Sequence, residues 1–305
     1  MKIEHLYYFM EIVHAQSINK ASNRLYISQQ HLSRIVNALE KEFDVTLFKR
    51  TSKGITLTPQ GENFYKYADK IVGLYDEMKK KFSLGMLPKI DSNEDLCGEC
   101  RISFPFFFSL YLNDFLETIK KTYPEITVHY FEEYIQMSAR NLEMSDRIHF
   151  ISDFNIRKKS IFADEPNLKK FYIGQTELLF CVNENSKLSG KHMLLENDIN
   201  NYMITSYPQL ESYCDFINQE QILFTSSNIY QHLDSVVHND SLCFVPSYCK
   251  RGILQKYPSI KCIPYEYTYP VPMYIVISQN LSLSSSEKAI ISCIVRYINS
   301  LNDLA

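Results

Sequence analysis

The 305-residue sequence predicts an α+β head, a long connecting helix and a two-lobed α/β body. Three observations carry this reading. Apolar residues recur at helical spacing through the first forty residues and then yield to a short alternating segment with a basic turn. A 4-3-4-3-4 apolar rhythm runs from Phe64 to Phe82, and beyond Arg101 strand and helix patterns alternate. The length exceeds the ~100–200 residues of one domain, so several compact units are expected.

In the head, Leu6, Phe9 and Val13 mark a first helix. Ile18, Ala21 and Leu25 mark a second, with Ser17 as its N-cap. Ser28 caps a third, whose core stripe is Leu32, Ile35, Val36 and Leu39. Advancing 100° per residue places Gln30, Ser33, Arg34, Asn37 and Lys41 together on the opposite face, within roughly 100° of arc. That face is almost wholly hydrogen-bonding. Arg, Asn and Gln can pair bidentately with base edges and Ser and Lys reach phosphates, so the third helix has what a major-groove recognition helix requires. Phe43–Phe48 then leads into Lys49-Arg50-Thr51-Ser52-Lys53-Gly54 and the alternating Ile55-Thr56-Leu57-Thr58. This predicts a two-stranded wing with a basic tip, suited to neutralising backbone phosphates. Residues 1–82 hold 13 Lys/Arg against 9 Asp/Glu, and residues 83–305 hold 19 against 26. A basic head on an acidic body fits a nucleic-acid partner.

Thr58 and Pro59 start the connecting helix as N-cap and first helical residue. Phe64, Ala68, Ile71, Tyr75, Met78 and Phe82 form its seam, which is expected to pair with a second copy. Gly73 lowers its helix propensity by ~1 kcal/mol. The expected boundaries are 1–58 for the head, 59–83 for the helix, 84–100 for a hinge and 101–305 for the body.

Ile102-Ser103-Phe104 reads as the body's first strand, followed by a helix through Leu112, Phe115, Leu116 and Ile119 and a strand through Ile126, Val128 and Tyr130. A helix near 135–144 precedes a strand at 148–151. Further strands are expected at 172–182, 202–205, 221–225, 242–246 and 272–278, with a last helix near 284–301. The alternation implies a parallel sheet covered on both faces. Ligands bind at the carboxyl ends of such strands. The candidate effector-binding residues are therefore Ser103, Phe104, Pro105, Phe106 and Phe107, Ser152 and Asp153, Thr205 and Ser206, and Pro246 and Ser247.

The head resembles the LysR-type transcriptional regulators through Leu6, Phe9, Val13, Ser17, Ala21, Leu25, Ser28-Gln29-Gln30, Leu32-Ser33-Arg34-Ile35, Leu39-Glu40, Leu47-Phe48-Lys49-Arg50, Leu57-Thr58 and Gly61. The resemblance implies that Gln29, Gln30, Ser33 and Arg34 lie at the DNA with Arg50 and Lys53 on the wing. Ser17, Asn37 and Lys41 complete the expected DNA-contacting set. His31 and Asp44 depart from the pattern, the first where a small residue or Pro is usual, its ring expected beside the core stripe, the second where Gly is frequent. The resemblance further implies a body of two lobes like those of periplasmic binding proteins, crossing near 162 and 266, so that lobe 1 spans about 101–162 and 267–305 and lobe 2 about 163–266. It also implies a homodimer that doubles to a homotetramer, an interrupted inverted-repeat promoter site in double-stranded DNA, a small-molecule effector between the lobes and RNA polymerase as a further partner.

Where relatives place small polar residues to cradle an anion, this chain has Phe104-Pro105-Phe106-Phe107-Phe108, which points to an apolar or aromatic effector or a cleft closed by its own side chains. Val236–Leu242 fills a stretch usually rich in Gly, so that turn must be built differently. Of the eight cysteines, Cys243 with Cys249 or Cys97 with Cys100 are the candidates for a redox input, the alternative to an effector. No metal or cofactor is expected, since the lone CxxC at 97–100 lacks a second pair. An enzymatic or solute-binding body is the least favoured alternative: GxSxG, P-loop, HExxH and dinucleotide motifs are absent. No run approaches a membrane span and no signal core opens the chain, so a cytoplasmic protein is expected.

Overall fold

The computed structural model describes residues 1–25, 27–51, 54–85, 87–88, 96–133, 139–153, 165–208, 218–265 and 271–302. The chain divides into two compact units, Met1–Phe82 and Ser83–Ala305.

The first unit opens with α1 (Ile3–Ala15), α2 (Ile18–Leu25) and α3 (Gln29–Phe43). Both expected caps form: the Lys20 amide donates to Ser17 Oγ (3.3 Å) and the His31 amide to Ser28 Oγ (3.2 Å). α3 stops because Asp44 turns left-handed (φ 52°). Leu6, Phe9, Ile35, Leu39, Leu47, Ala68 and Val72 form one core, and Ile12, Ala15, Ala21, Leu32 and Val36 a second against the other side of the helices. The wing is β1 (Phe48–Thr51) paired antiparallel with β2 (Gly54–Leu57), Thr51 opposite Gly54. Gly54 has φ 128°, and a Cβ there would lie 2.6 Å from the Gln16 carbonyl oxygen that accepts the Ile55 amide (3.0 Å). Glycine thus lets the wing dock on the end of α1.

α4 (Pro59–Gly85) follows, its first turn held by Thr58, whose Oγ1 accepts the Gly61 amide (2.9 Å) and donates to the Thr46 carbonyl (2.5 Å). It extends two residues beyond the expected end at 83.

In the second unit, β3 (Gly98–Pro105) begins three residues before the expected body and takes the end of the expected 84–100 hinge into the sheet. A 3-10 turn (Phe106–Leu110) leads to α5 (Leu112–Thr122), β4 (Ile126–Glu133), α6 (Ala139–Glu143) and β5 (Ile148–Ser152). Then come β6 (Leu168–Thr176), β7 (Leu178–Asn183), α7 (Glu196–Ile199), β8 (Ile204–Ser206), β9 (Ile222–Thr225) and α8 (Ile229–Asn239). β10 (Cys243–Pro246), α9 (Lys250–Lys256), β11 (Ile260–Pro264), β12 (Val271–Ser278) and α10 (Ser285–Asn302) complete the unit.

The first lobe's sheet has the order β4-β3-β5-β12-β6, and the second lobe is built on β10-β7-β11 with the β8-β9 pair bridged to it between Ile204 and Leu242. Three expectations are corrected. The first sheet is mixed: β3 runs parallel to β4 and β5, but β12 runs antiparallel to β5 and β6. The expected strand at 172–182 is two strands in different sheets, split at Glu177. The chain therefore leaves the first sheet after Thr176 rather than near 162, because β6 pairs with β12 along its whole length. Residues 154–164 and 266–270 lie outside the described residues; the second crossing falls between β11 and β12, which belong to different sheets. The Gly-poor turn after α8 is made by Asp240 in the left-handed region (φ 48°), with Ser235 Oγ 2.8 Å from Ser241 Oγ across it.

Candidate nucleic-acid interface and interlobe site

On α3 the buried stripe Leu32, Ile35, Val36 and Leu39 fixes the outward face. Gln29, Gln30, Arg34, Asn37 and Lys41 are exposed and Ser33 is half-buried. The helix backs onto a filled core, so these side chains have a rigid support. Ser17 is half-buried and its Oγ serves as the α2 cap. On the wing, Lys49 and Arg50 are exposed in β1, while Lys53 lies outside the described residues. Glu40 sets the path from α3 to the wing: its Oε1 accepts the amides of Leu47 (2.7 Å) and Phe48 (3.3 Å). His31 is exposed, so its ring does not pack beside the core stripe as expected.

The α4 seam divides. Phe64 meets Phe9 at 4.9 Å and Phe43 at 5.2 Å between centroids, and Ala68 is buried in the head's own core. These two positions are therefore filled within one chain, a correction to the expected seam. Beyond them Ile71, Met78 and Phe82 are exposed and Tyr75 is half-buried, and Tyr67 and Leu74, which the heptad reading omitted, expose still more apolar surface.

Most of the candidate effector residues are buried, and the structure sorts them into separate groups. Successive strand residues face opposite sides of a sheet, which parts Ser103 from Phe104. Phe104 stacks on Phe108 (4.0 Å) and meets Phe115 and Phe150 in the first lobe's core. Ser103 donates to Glu133 Oε1 (2.8 Å) on the other face, where Arg147 Nη1 (3.0 Å) and His149 Nδ1 (2.8 Å) also bind Glu133. Burial pushes the Glu133 carboxyl up, but the His149 and Ser103 bonds and the Arg147 charge outweigh it and hold it below the usual range. Ser103 and Phe104 therefore do not join Phe106 and Phe107, a correction to the expected single lining.

Phe106 and Phe107 instead meet Tyr207 of the second lobe, at 4.7 and 4.9 Å between centroids. Pro105 is buried at the end of β3, opposite Glu133. Ser152 Oγ lies 3.4 Å from the Tyr248 hydroxyl, and the Asp153 amide donates to Pro272 O (2.8 Å). Thr205 Oγ1 donates to Leu242 O (3.4 Å), Pro246 ends β10, and Ser247 Oγ lies 2.9 Å from Thr176 Oγ1.

Sequence reasoning missed Tyr207, Tyr111, Tyr230, His232, Tyr248 and Lys256. Tyr111 donates to Tyr248 O (2.6 Å) and accepts the Gly252 amide (2.9 Å). Tyr230 donates to Ser109 O (3.1 Å), and Lys256 Nζ to Leu110 O (3.0 Å). The 3-10 turn is thus gripped by side chains of the second lobe. The positions of Tyr111, just before α5, and Tyr230, in the first turn of α8, carry no motif that would have flagged them.

Cys243 and Cys262 each lie opposite Cys181 in neighbouring strands, with Sγ atoms of Cys181 and Cys262 4.0 Å apart. Cys249 is buried and its thiol is pushed up by burial; burial likewise pushes the Cys100 thiol up, to about 12. Reactive cysteines have depressed values, so Cys249 and Cys100, one member of each expected pair, lack the electrostatics of a reactive thiol. Among the described residues no cluster of His, Cys, Asp and Glu could hold a metal ion, and no helix is long and apolar enough to cross a membrane.

Residues 3–62 match the family described as bacterial regulatory helix-turn-helix protein, lysR family. The chain is 29% identical over 215 residues to the HTH-type transcriptional regulator BenM of Acinetobacter baylyi, covering 68% of this chain and 64% of BenM. It is 26% identical over 195 residues to the regulator CysL of Bacillus subtilis, covering 63% of this chain and 60% of CysL. It therefore spans less than two-thirds of the length of these relatives in sequence alignment. In structure, full-length BenM superposes with a TM-score of 0.51 at 22% identity, covering 99% of this chain and 98% of BenM. Oxidized OxyR of Corynebacterium glutamicum gives 0.54 at 15% identity, covering 99% and 93%. At these identities the superpositions show the shared fold, a helix-turn-helix head followed by an α/β body. The head, residues 3–62, thus carries the helix-turn-helix of the lysR family, and the chain is similar to proteins named HTH-type transcriptional regulators.

Proposed function

We propose that this protein is a sequence-specific DNA-binding transcription regulator that pairs through α4 and responds to a small molecule held between the lobes of its body. One observation carries the reading: α3 presents Gln30, Arg34, Asn37 and Lys41 on one exposed face backed by a filled core. Bidentate donors on a rigid helix, beside a wing that exposes Lys49 and Arg50, suit the major groove and the adjoining phosphates. The relatives' names as HTH-type transcriptional regulators support it. The exposed apolar stripe from Tyr67 to Phe82 supports a homodimer, which would set two heads on an interrupted inverted repeat. The 3-10 turn gripped by the second lobe supports an effector that acts by shifting the lobes.

The test is equilibrium binding to the promoter beside the protein's own gene and to random duplex over a salt series. Arg34→Ala lowers specific affinity by about 1–3 kcal/mol and leaves non-specific affinity within a few tenths, whereas Arg50→Ala weakens both alike and flattens the salt slope by about one. Equal losses from Arg34→Ala on both duplexes would remove α3 from the groove.

A further inference from the structure

We propose that Ser145 is a nucleophile that takes an acyl group from an activated carboxylic ester, with His149 as its base and Glu133 positioning the ring. Neither the DNA-binding reading nor the effector reading makes use of these three side chains.

Ser103 of β3 stands opposite Phe131 of β4 and His149 of β5, and residues in register on neighbouring strands share a face of the sheet. Glu133, two residues on from Phe131, falls on that same face. His149 is 1% exposed. Its Nδ1 lies 2.8 Å from Glu133 Oε2 and its Nε2 2.7 Å from Ser145 Oγ. Ser145 stands in the loop between α6 and β5, half-buried between the exposed Met144 and Asp146. The base is thus sealed within the sheet, while the serine it touches reaches the surface.

The hydrogen bonds run in one direction. Ser103 Oγ (2.8 Å) and Arg147 Nη1 (3.0 Å) both bind Oε1 of Glu133, which leaves Oε2 to the ring. The Glu133 carboxyl is held below its usual range, so it is ionised and only accepts. The ring proton therefore sits on Nδ1, and in the neutral ring Nε2 carries the lone pair. The Arg147 amide donates to Ser145 Oγ (3.2 Å), so the hydroxyl's own hydrogen is the one that meets Nε2. A hydroxyl on a base, and that base on an orienting carboxylate, is the arrangement that activates a serine. In the step itself Oγ bonds to the carbonyl carbon of the ester and the hydroxyl proton passes to Nε2. The alcohol or phenol then leaves with that proton. The imidazolium formed in between has the Glu133 carboxylate 2.8 Å away.

Acylation of the full-length protein by 4-nitrophenyl acetate, mapped by mass spectrometry of its peptides, tests this. Ser145 is expected to be acetylated at least about 100-fold faster than the other serines of the folded chain, the worth of a general base, and no faster than they are in urea. His149→Gln removes the advantage. Glu133→Gln keeps the side chain's shape without its charge and slows Ser145 at least about tenfold, whereas Glu133→Asp, which keeps the charge, slows it less. The comparison among serines of the wild type stands on its own if His149→Gln does not fold. Equal acetylation of Ser145 and the other serines of the folded protein overturns the proposal, as does an advantage that survives His149→Gln or a rate that Glu133→Gln leaves unchanged.

Discussion

Gly61 and Gly73 both lie in α4, yet they have opposite reasons to be glycine. A Cβ at Gly61 would fall 2.1 Å from the carbonyl oxygen of Leu47, the residue before the first wing strand. Gly73 has no atom within 4 Å of the same point. Gly61→Ala is expected to cost about 1–3 kcal/mol by overpacking, and Gly73→Ala to stabilise by about 0.5–1 kcal/mol through helix propensity. Urea unfolding of the two variants checks both signs. His232 gives a third residue-scale expectation. Its folded pKa, about 4, lies below the ordinary 6.5, so folding favours the neutral ring and the unfolded chain binds the extra proton. Stability is fully present above about 6.5 and is lost as pH falls toward 4. Between pH 7 and 5 the loss is about 2 kcal/mol. His232→Phe removes that part of the pH dependence; an unchanged melting profile between pH 7 and 5 in the wild type would show that the ring is not held neutral.

At the scale of elements, α4 shows what periodicity can and cannot say. The 4-3-4-3-4 rhythm located the helix to within two residues, but it did not say what covers each position. Its first turns lie on α1 and α3, so Phe64 and Ala68 are filled by Leu6 and Phe9. Past them Val72 still packs into the head's core, but Ile71, Leu74, Met78 and Phe82 are exposed, and Phe82 and Tyr67 are more than two-thirds exposed. Ile71→Asp places a charge in that stripe and is expected to weaken dimerisation at least about 100-fold, on the order of 3 kcal/mol. Sedimentation equilibrium reads the effect, while helicity by circular dichroism stays unchanged. A dimer as tight as the wild type would move the interface away from α4.

For the molecule as a whole, one buried core runs through both lobes of the body, and side chains of the second lobe hold the first lobe's 3-10 turn. Tyr111 is central: one hydroxyl donates to Tyr248 O and accepts from Gly252 N, and a Cβ on Gly252 would lie 2.9 Å from its ring. Tyr111→Phe leaves the buried Tyr248 carbonyl and Gly252 amide without this partner, at a cost of about 1–3 kcal/mol. Thermal unfolding of the full chain should show a lower body transition. An unaltered transition would mean that the turn is held by Tyr230 and Lys256 instead.

The head was legible from sequence because its signals are local. Caps at Ser17 and Ser28, the stripe from Leu32 to Leu39 and the alternation at 55–58 each lie within a few residues of the structure they specify, and they led to the lysR resemblance that the head bears out. The body was legible only as alternation. That β6 joins β12 rather than β7, that Phe104 and Phe106 point into different surroundings, and that Tyr207 meets both Phe106 and His232 are consequences of contacts between separate segments of the chain. No pattern within one segment encodes its distant partner, so the sequence alone determined the head and the body's alternation of strands and helices, while packing decided how the strands divide between sheets and which side chains meet between the lobes.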